Sequence, residues 1–158
     1  MIARNSEANS FGKDIRIDFH LQFAQAYFLK GEFETTLMEL NQMFKLESLK
    51  DHGFQTHHAR ILLLLTHYEL GNLPYLPYLI RSTYRSFLRR ERLYPFESTI
   101  LKFLSSLAKI KTRKNLRSTL KQLFKDLNYR STDNYESPWK NFYLKWVEKT
   151  IESLGAAE

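Results

Sequence analysis

Four histidines fall within sixteen positions, His52, His57, His58 and His67, and such a cluster invites a metal reading. A structural zinc site needs four ligands converging on one point, at spacings that bring them to one side of an element. His57 and His58 are adjacent and so point to different sides of a helix. No carboxylate completes a recognisable ligand spacing, and the chain has no cysteine. No metal site and no cofactor are therefore expected. His67 reads instead as a packing residue with a satisfied ring nitrogen, and His20 as a surface or boundary residue.

Other reactive pairs fail for similar reasons. Glu32 and Glu34 read as first-turn acids favoured by the helix dipole. Thr56 beside His57 lacks a geometric case for a nucleophile. The chain contains no glycine-rich phosphate loop, nucleophile elbow or zinc-protease motif, so an enzyme is not expected. Without cysteine, disulfides and thiolate chemistry are excluded.

Charge is the remaining chemical signal, and it is uneven. Residues 1–80 hold seven Lys/Arg against nine Asp/Glu, a net −2; residues 81–130 hold fourteen against three, a net +11; residues 131–158 return to −2. Arg81, Arg85 and Arg89 recur every four residues and should share a helical face. Lys114, Arg117, Lys121 and Lys125, at steps of three, four and four, should likewise share a face of a later helix, and the two rows would merge if their helices were neighbours. Such a surface suits nucleic acid or another polyanion; the plainer reading is the solvated face of two amphipathic helices, facing an acidic protein or the acidic first hairpin. Tyr84, Phe87, Phe103 and Phe124 fall at core spacing and read as packing residues.

These rows need helices to position them, and glycines punctuate the helices. The first carries Ile17, Leu21, Ala24 and Phe28 at helical spacing, with Asp14 or Asp18 as its cap. Gly31 ends it, since glycine tolerates a left-handed turn. The chain returns through Phe33, Leu37, Leu40 and Phe44, and Gly53 marks the next break. A second pair runs from about Phe54 through Ile61–Leu65 to Gly71, then onward past Leu79, Ile80, Tyr84 and Phe87. Pro74 and Pro77 predict an irregular or 3₁₀ start for that returning helix. Tyr94-Pro95 breaks the chain again. A third pair places Ile100, Leu104 and Leu107 against Leu116, Leu120, Leu123 and Leu127. Ser137-Pro138 starts a closing helix bearing Trp139, Phe142, Tyr143, Trp146, Val147 and Ile151. The longest apolar run, Ile61 to Leu65, is far too short to cross a bilayer, and Met1 to Lys13 lacks the apolar stretch of a signal peptide.

The recurring pattern resembles tetratricopeptide repeats. Ala24, Tyr27, Gly31 and Phe33 match that family's small residue, aromatic ring, helix-ending glycine and second ring. In the second copy Leu64, His67, Gly71 and Leu73 occupy those places, and Thr36 and Leu76 take the small position of the second helix. The glycines lie 40 residues apart, longer than the family's repeat of about 34. The resemblance implies a protein-interaction scaffold whose partners lie along the first helices of successive pairs, where Gln22, Gln25 and Arg60 are candidates.

The expectation is an all-α, right-handed stack of antiparallel hairpins, an α-solenoid with a C-terminal capping helix. A flexible lead-in covers 1–13 and one domain covers 14–158, with hairpins at about 14–50, 54–92 and 95–128 and the cap at 137–154. The expected function is a non-catalytic, cytoplasmic protein–protein interaction module with no membrane contact. Its partner is another protein or peptide, an acidic one being matched by Arg81, Arg85, Arg89, Lys114, Arg117 and Lys121. The alternative is a nucleic-acid or other polyanion-binding domain using the basic 81–130 segment.

Overall fold

The computed structural model describes residues 2–46, 53–89, 94–129 and 138–156. Among them the chain is helical, with no strand. Seven α-helices follow in order: α1 (Ile2–Lys30), α2 (Phe33–Leu46), α3 (Gly53–Glu69), α4 (Leu76–Arg89), α5 (Pro95–Ser106), α6 (Arg113–Asn128) and α7 (Lys140–Gly155). A 3₁₀ turn, Leu107–Lys109, extends α5. No helix among the described residues is long and apolar enough to cross a membrane.

Both glycines expected to end a first helix do so, by the same geometry. Gly31 and Gly71 adopt positive φ, 83° and 73°. After α1, the Gly31 amide donates to the Phe28 carbonyl at 3.0 Å and the Glu32 amide to the Tyr27 carbonyl at 2.9 Å. After α3, Gly71 donates to Tyr68 at 3.0 Å and Asn72 to His67 at 2.9 Å. This is the Schellman pattern, which satisfies carbonyls the helix end would otherwise leave open. Tyr27 and His67, aligned by sequence as one repeat position, thus supply the same carbonyl. A ring pair spans each turn: Phe28 meets Phe33 edge-on at 5.4 Å, and His67 meets Tyr75 edge-on at 5.6 Å.

The chain divides into two compact units, Met1–Leu76 and Pro77–Glu158, where the sequence reading draws one domain over 14–158. The boundary falls at the proline-bearing start of α4, so the expected 54–92 hairpin has one helix in each unit. Residues 73–75 form a turn, as Pro74 and Pro77 require, and α4 begins at Leu76.

In the first unit, α1 packs along α2, and α3 lies against both. Ile17, Leu21, Ala24 and Phe28 are buried as their spacing demands. Leu40 joins them from α2 with Thr36 and Met43, while Phe33, Leu37 and Phe44 flank that line half-buried. The Ile61–Leu65 run is almost wholly buried. Buried threonines stay satisfied by donating back along their own helices, Thr36 to Glu32 at 2.9 Å and Thr66 to Leu62 at 2.7 Å. Helix α1 differs from expectation at its start: it begins at Ile2, ahead of Asp14, so 2–13 is helix rather than lead-in. That stretch has no proline, and Ala3, Arg4, Glu7, Ala8 and Lys13 are good helix formers despite the polar composition.

The second unit closes around leucines and rings. Pro95 opens α5 with Tyr94 extended before it (φ −77°, ψ 153°), and the Tyr94 amide donates to the Glu97 carboxylate at 3.1 Å. Thr112 caps α6 by accepting from the Asn115 amide at 3.2 Å. Helix α6 packs on α5, burying Leu120, Leu123 and Leu127. The aromatic α7 covers them: Tyr143, Trp146 and Val147 are buried, Trp146 meets Phe103 edge-on at 6.1 Å and Tyr143 meets Phe96 at 5.1 Å. Pro138 and Trp139 form a turn just before α7, and Ser137, the expected cap, lies outside the described residues.

Candidate functional site

Within the second unit, α4 and α5 enclose an open groove of about 560 Å³. Its floor is apolar, made by Ile80 and Leu101, both buried. Tyr84, 44% exposed, stands on the α4 wall between Arg81 and Arg85. Lys102 and Lys109 line the α5 side with Ser98, Ser105 and Ser106. All four cations are exposed, and among the described residues no carboxylate lines the groove. Like charges around one space repel, so a bound anion relieves the groove electrostatically. The Ser105 and Ser106 hydroxyl protons are committed, donating to the Leu101 carbonyl at 2.8 Å and the Phe103 carbonyl at 2.7 Å. The donors that a ligand meets are therefore chiefly the cations.

Helical geometry explains which arginines enter. Each four-residue step advances about 40° around the axis. Arg81 and Arg85 flank the groove, but Arg89 has rotated to about 180° from Ile80, and it does not line the groove. On α5, Ser98, Lys102 and Ser105 lie within about 100° of Leu101 on one side. Lys102 and Lys109 escaped the sequence reading because neither belongs to a row of regularly spaced cations.

The second basic row does not join this site. Lys114 and Lys121 are exposed on α6 and line no part of the groove. Arg117 is half-buried, its guanidinium packed at the end of α7: a Cβ on Gly155 would stand 2.9 Å from Arg117 Nη2. A cation there faces the negative end of the α7 dipole. Arg117 thus belongs to the packing of α6 on α7 rather than to an open basic surface.

The candidates on the first helices separate in the same way. Gln22 is exposed on α1. Gln25 and Arg60 are not: Gln25 is half-buried with its Nε2 out of solvent, and Arg60 is half-buried with its guanidinium 5.8 Å from the Phe44 ring centre. Arg60 of α3 thus lies over Phe44 of α2.

The histidines are distributed rather than gathered. His57 and His58 are both buried on α3, and burial pushes His58 down to about 3. His67 is also lowered by burial, and its Nδ1 lies 3.1 Å from Asn72 Nδ2. His20 Nδ1 pairs with Glu39 at 2.7 Å. His52 lies outside the described residues. Among those described, no three His, Cys, Asp or Glu side chains gather as metal ligands.

These observations define a chain that is all-α over its described residues, with a cation-rimmed, apolar-floored groove in its second unit. No protein-family model matches the chain, and neither a characterised protein nor a solved structure matches it significantly.

Proposed function

We propose that this chain is a non-catalytic interaction module of tetratricopeptide-like kind, built from stacked helical hairpins and working in the cytoplasm. Its α4–α5 groove holds an acidic segment of a partner protein. The observation that carries this reading is the groove's composition: four cations and no described carboxylate over a floor of Ile80 and Leu101. Cations alone would suit any polyanion. An apolar floor adds affinity only for a partner that brings apolar side chains to bury, and burial of each contributes on the order of 1.5–3 kcal/mol. Nucleic acid gains little from such a floor, though Tyr84 offers one stacking face.

The test is fluorescence anisotropy of the whole chain against labelled acidic peptides that contain leucine, with single-stranded RNA and duplex DNA as comparators. The acidic peptides should bind, and Arg81→Glu with Arg85→Glu should abolish binding while leaving helicity unchanged. Tighter binding to DNA or RNA, weakening steeply with salt, would replace this reading with the polyanion alternative.

A further inference from the structure

Resting on the acidic-partner reading, we infer that the groove's occupant is an amphipathic helix of the partner protein, not an extended acidic strand. The reason lies in what the groove lacks. An extended segment leaves its own amides and carbonyls open, and these need partners when they settle over an apolar floor. Sheet-edge grooves supply such partners from their backbone. This groove lies between two helices, whose interior backbone groups are engaged within each helix. The hydroxyl protons of Ser105 and Ser106 are also committed, to the Leu101 and Phe103 carbonyls. A segment that satisfies its own backbone needs none of these partners, and a helix does so.

The cations set the pattern of that helix. Arg81 and Arg85 lie about 6 Å apart along the α4 axis. Lys102 and Lys109 lie about 12 Å apart along the α5 side, since the last three residues are 3₁₀. The occupant carries apolar residues at i, i+3 or i+4, and i+7 toward Ile80, Tyr84 and Leu101. Carboxylates at i and i+4 flank this stripe toward α4, and a pair seven residues apart flanks it toward Lys102 and Lys109. A small anionic molecule fits less well: ligand sites bury about 70–90% of a small molecule's surface, whereas here the four cations and Tyr84 are exposed.

The experiment uses the whole chain and dye-labelled peptides of about 18 residues, long enough to hold a helix. One carries the leucine stripe with flanking glutamates, a second permutes the same residues so that the stripe disappears, and a third carries the stripe with a central proline. A fourth replaces the glutamates by glutamine. The striped acidic peptide should bind at least about tenfold more tightly than each of the others, gain helicity on binding, and lose affinity with Lys102→Glu as well as with Arg81→Glu. If the permuted or proline-bearing peptide binds equally well, the helix inference falls and the acidic-partner reading stands. If no acidic peptide of any pattern binds at low salt, both fall together.

Discussion

Acidifying the solution should destabilise the first unit, chiefly through His58. Its imidazole is 2% exposed, and burial holds it neutral down to about pH 3 against an ordinary 6.5. Between those values the unfolded chain binds a proton there that the folded chain refuses, so stability falls as pH falls. The loss begins near pH 6.5, reaches ~2 kcal/mol at pH 5, and approaches ~5 kcal/mol near pH 3. Domains of this size are stable by roughly 5–15 kcal/mol, so the effect takes a large share. Urea unfolding followed by far-UV circular dichroism at pH 7, 6 and 5 would measure it against His58→Gln, which keeps polarity but does not titrate. His67, lowered in the same direction by burial, remains in both proteins and cancels in the comparison. The wild type should lose ~2 kcal/mol more than the variant between pH 7 and 5. Parallel losses would show that the ring protonates in the folded state, and that it is not sealed from water.

Three other perturbations probe the turns, the core and the buried phenols. Gly31→Ala and Gly71→Ala should each cost about 1–2 kcal/mol from backbone strain alone, since nothing lies within 4 Å of the added methyl at either position; unfolding of Gly31→Asn, which tolerates the left-handed region better, should show a smaller loss. Leu65→Ala empties a fully buried site and should cost about 2–5 kcal/mol by denaturant unfolding. In alkali the sign reverses from the histidine case. Burial, then the neighbouring Glu97 charge, pushes the Tyr143 phenol well above its ordinary 10, and burial with Glu69 pushes Tyr68 up to about 12. The unfolded chain loses those protons first, so stability should decline as pH rises beyond 10, and Tyr143→Phe should flatten that decline in urea melts.

Much of the scaffold was legible because glycine and proline act locally. The φ > 0 requirement at Gly31 and Gly71 belongs to one residue each, and Tyr94-Pro95 places a helix start by the ring alone. Apolar spacing likewise identified Ile17, Leu21, Ala24 and Phe28, and later Leu120, Leu123 and Leu127, as inward-facing. The start of α1 was not legible from composition. Polar residues from 2 to 13 look like a lead-in, yet helix propensity does not require an apolar stripe. The division into two units was hidden for a different reason: it depends on which helices meet, and the prolines before α4 mark only where the chain can turn.

The groove shows why a row of charges is a poor unit of inference. Arg81, Arg85 and Arg89 look equivalent in the sequence, but steps of four drift by about 40° each. Two of them reach the groove beside Ile80 and the third turns away. On α6 the apparent row is looser still. Lys121 lies about 20° from Lys114 around the axis, while Arg117 lies about 60° away, toward buried Leu120. That offset carries Arg117 to the α7 end beside Gly155, leaving Lys114 and Lys121 exposed. The angular drift could be computed from numbering alone. What numbering could not supply is Lys102 and Lys109, because a groove joins faces of two helices, and only packing decides which faces meet.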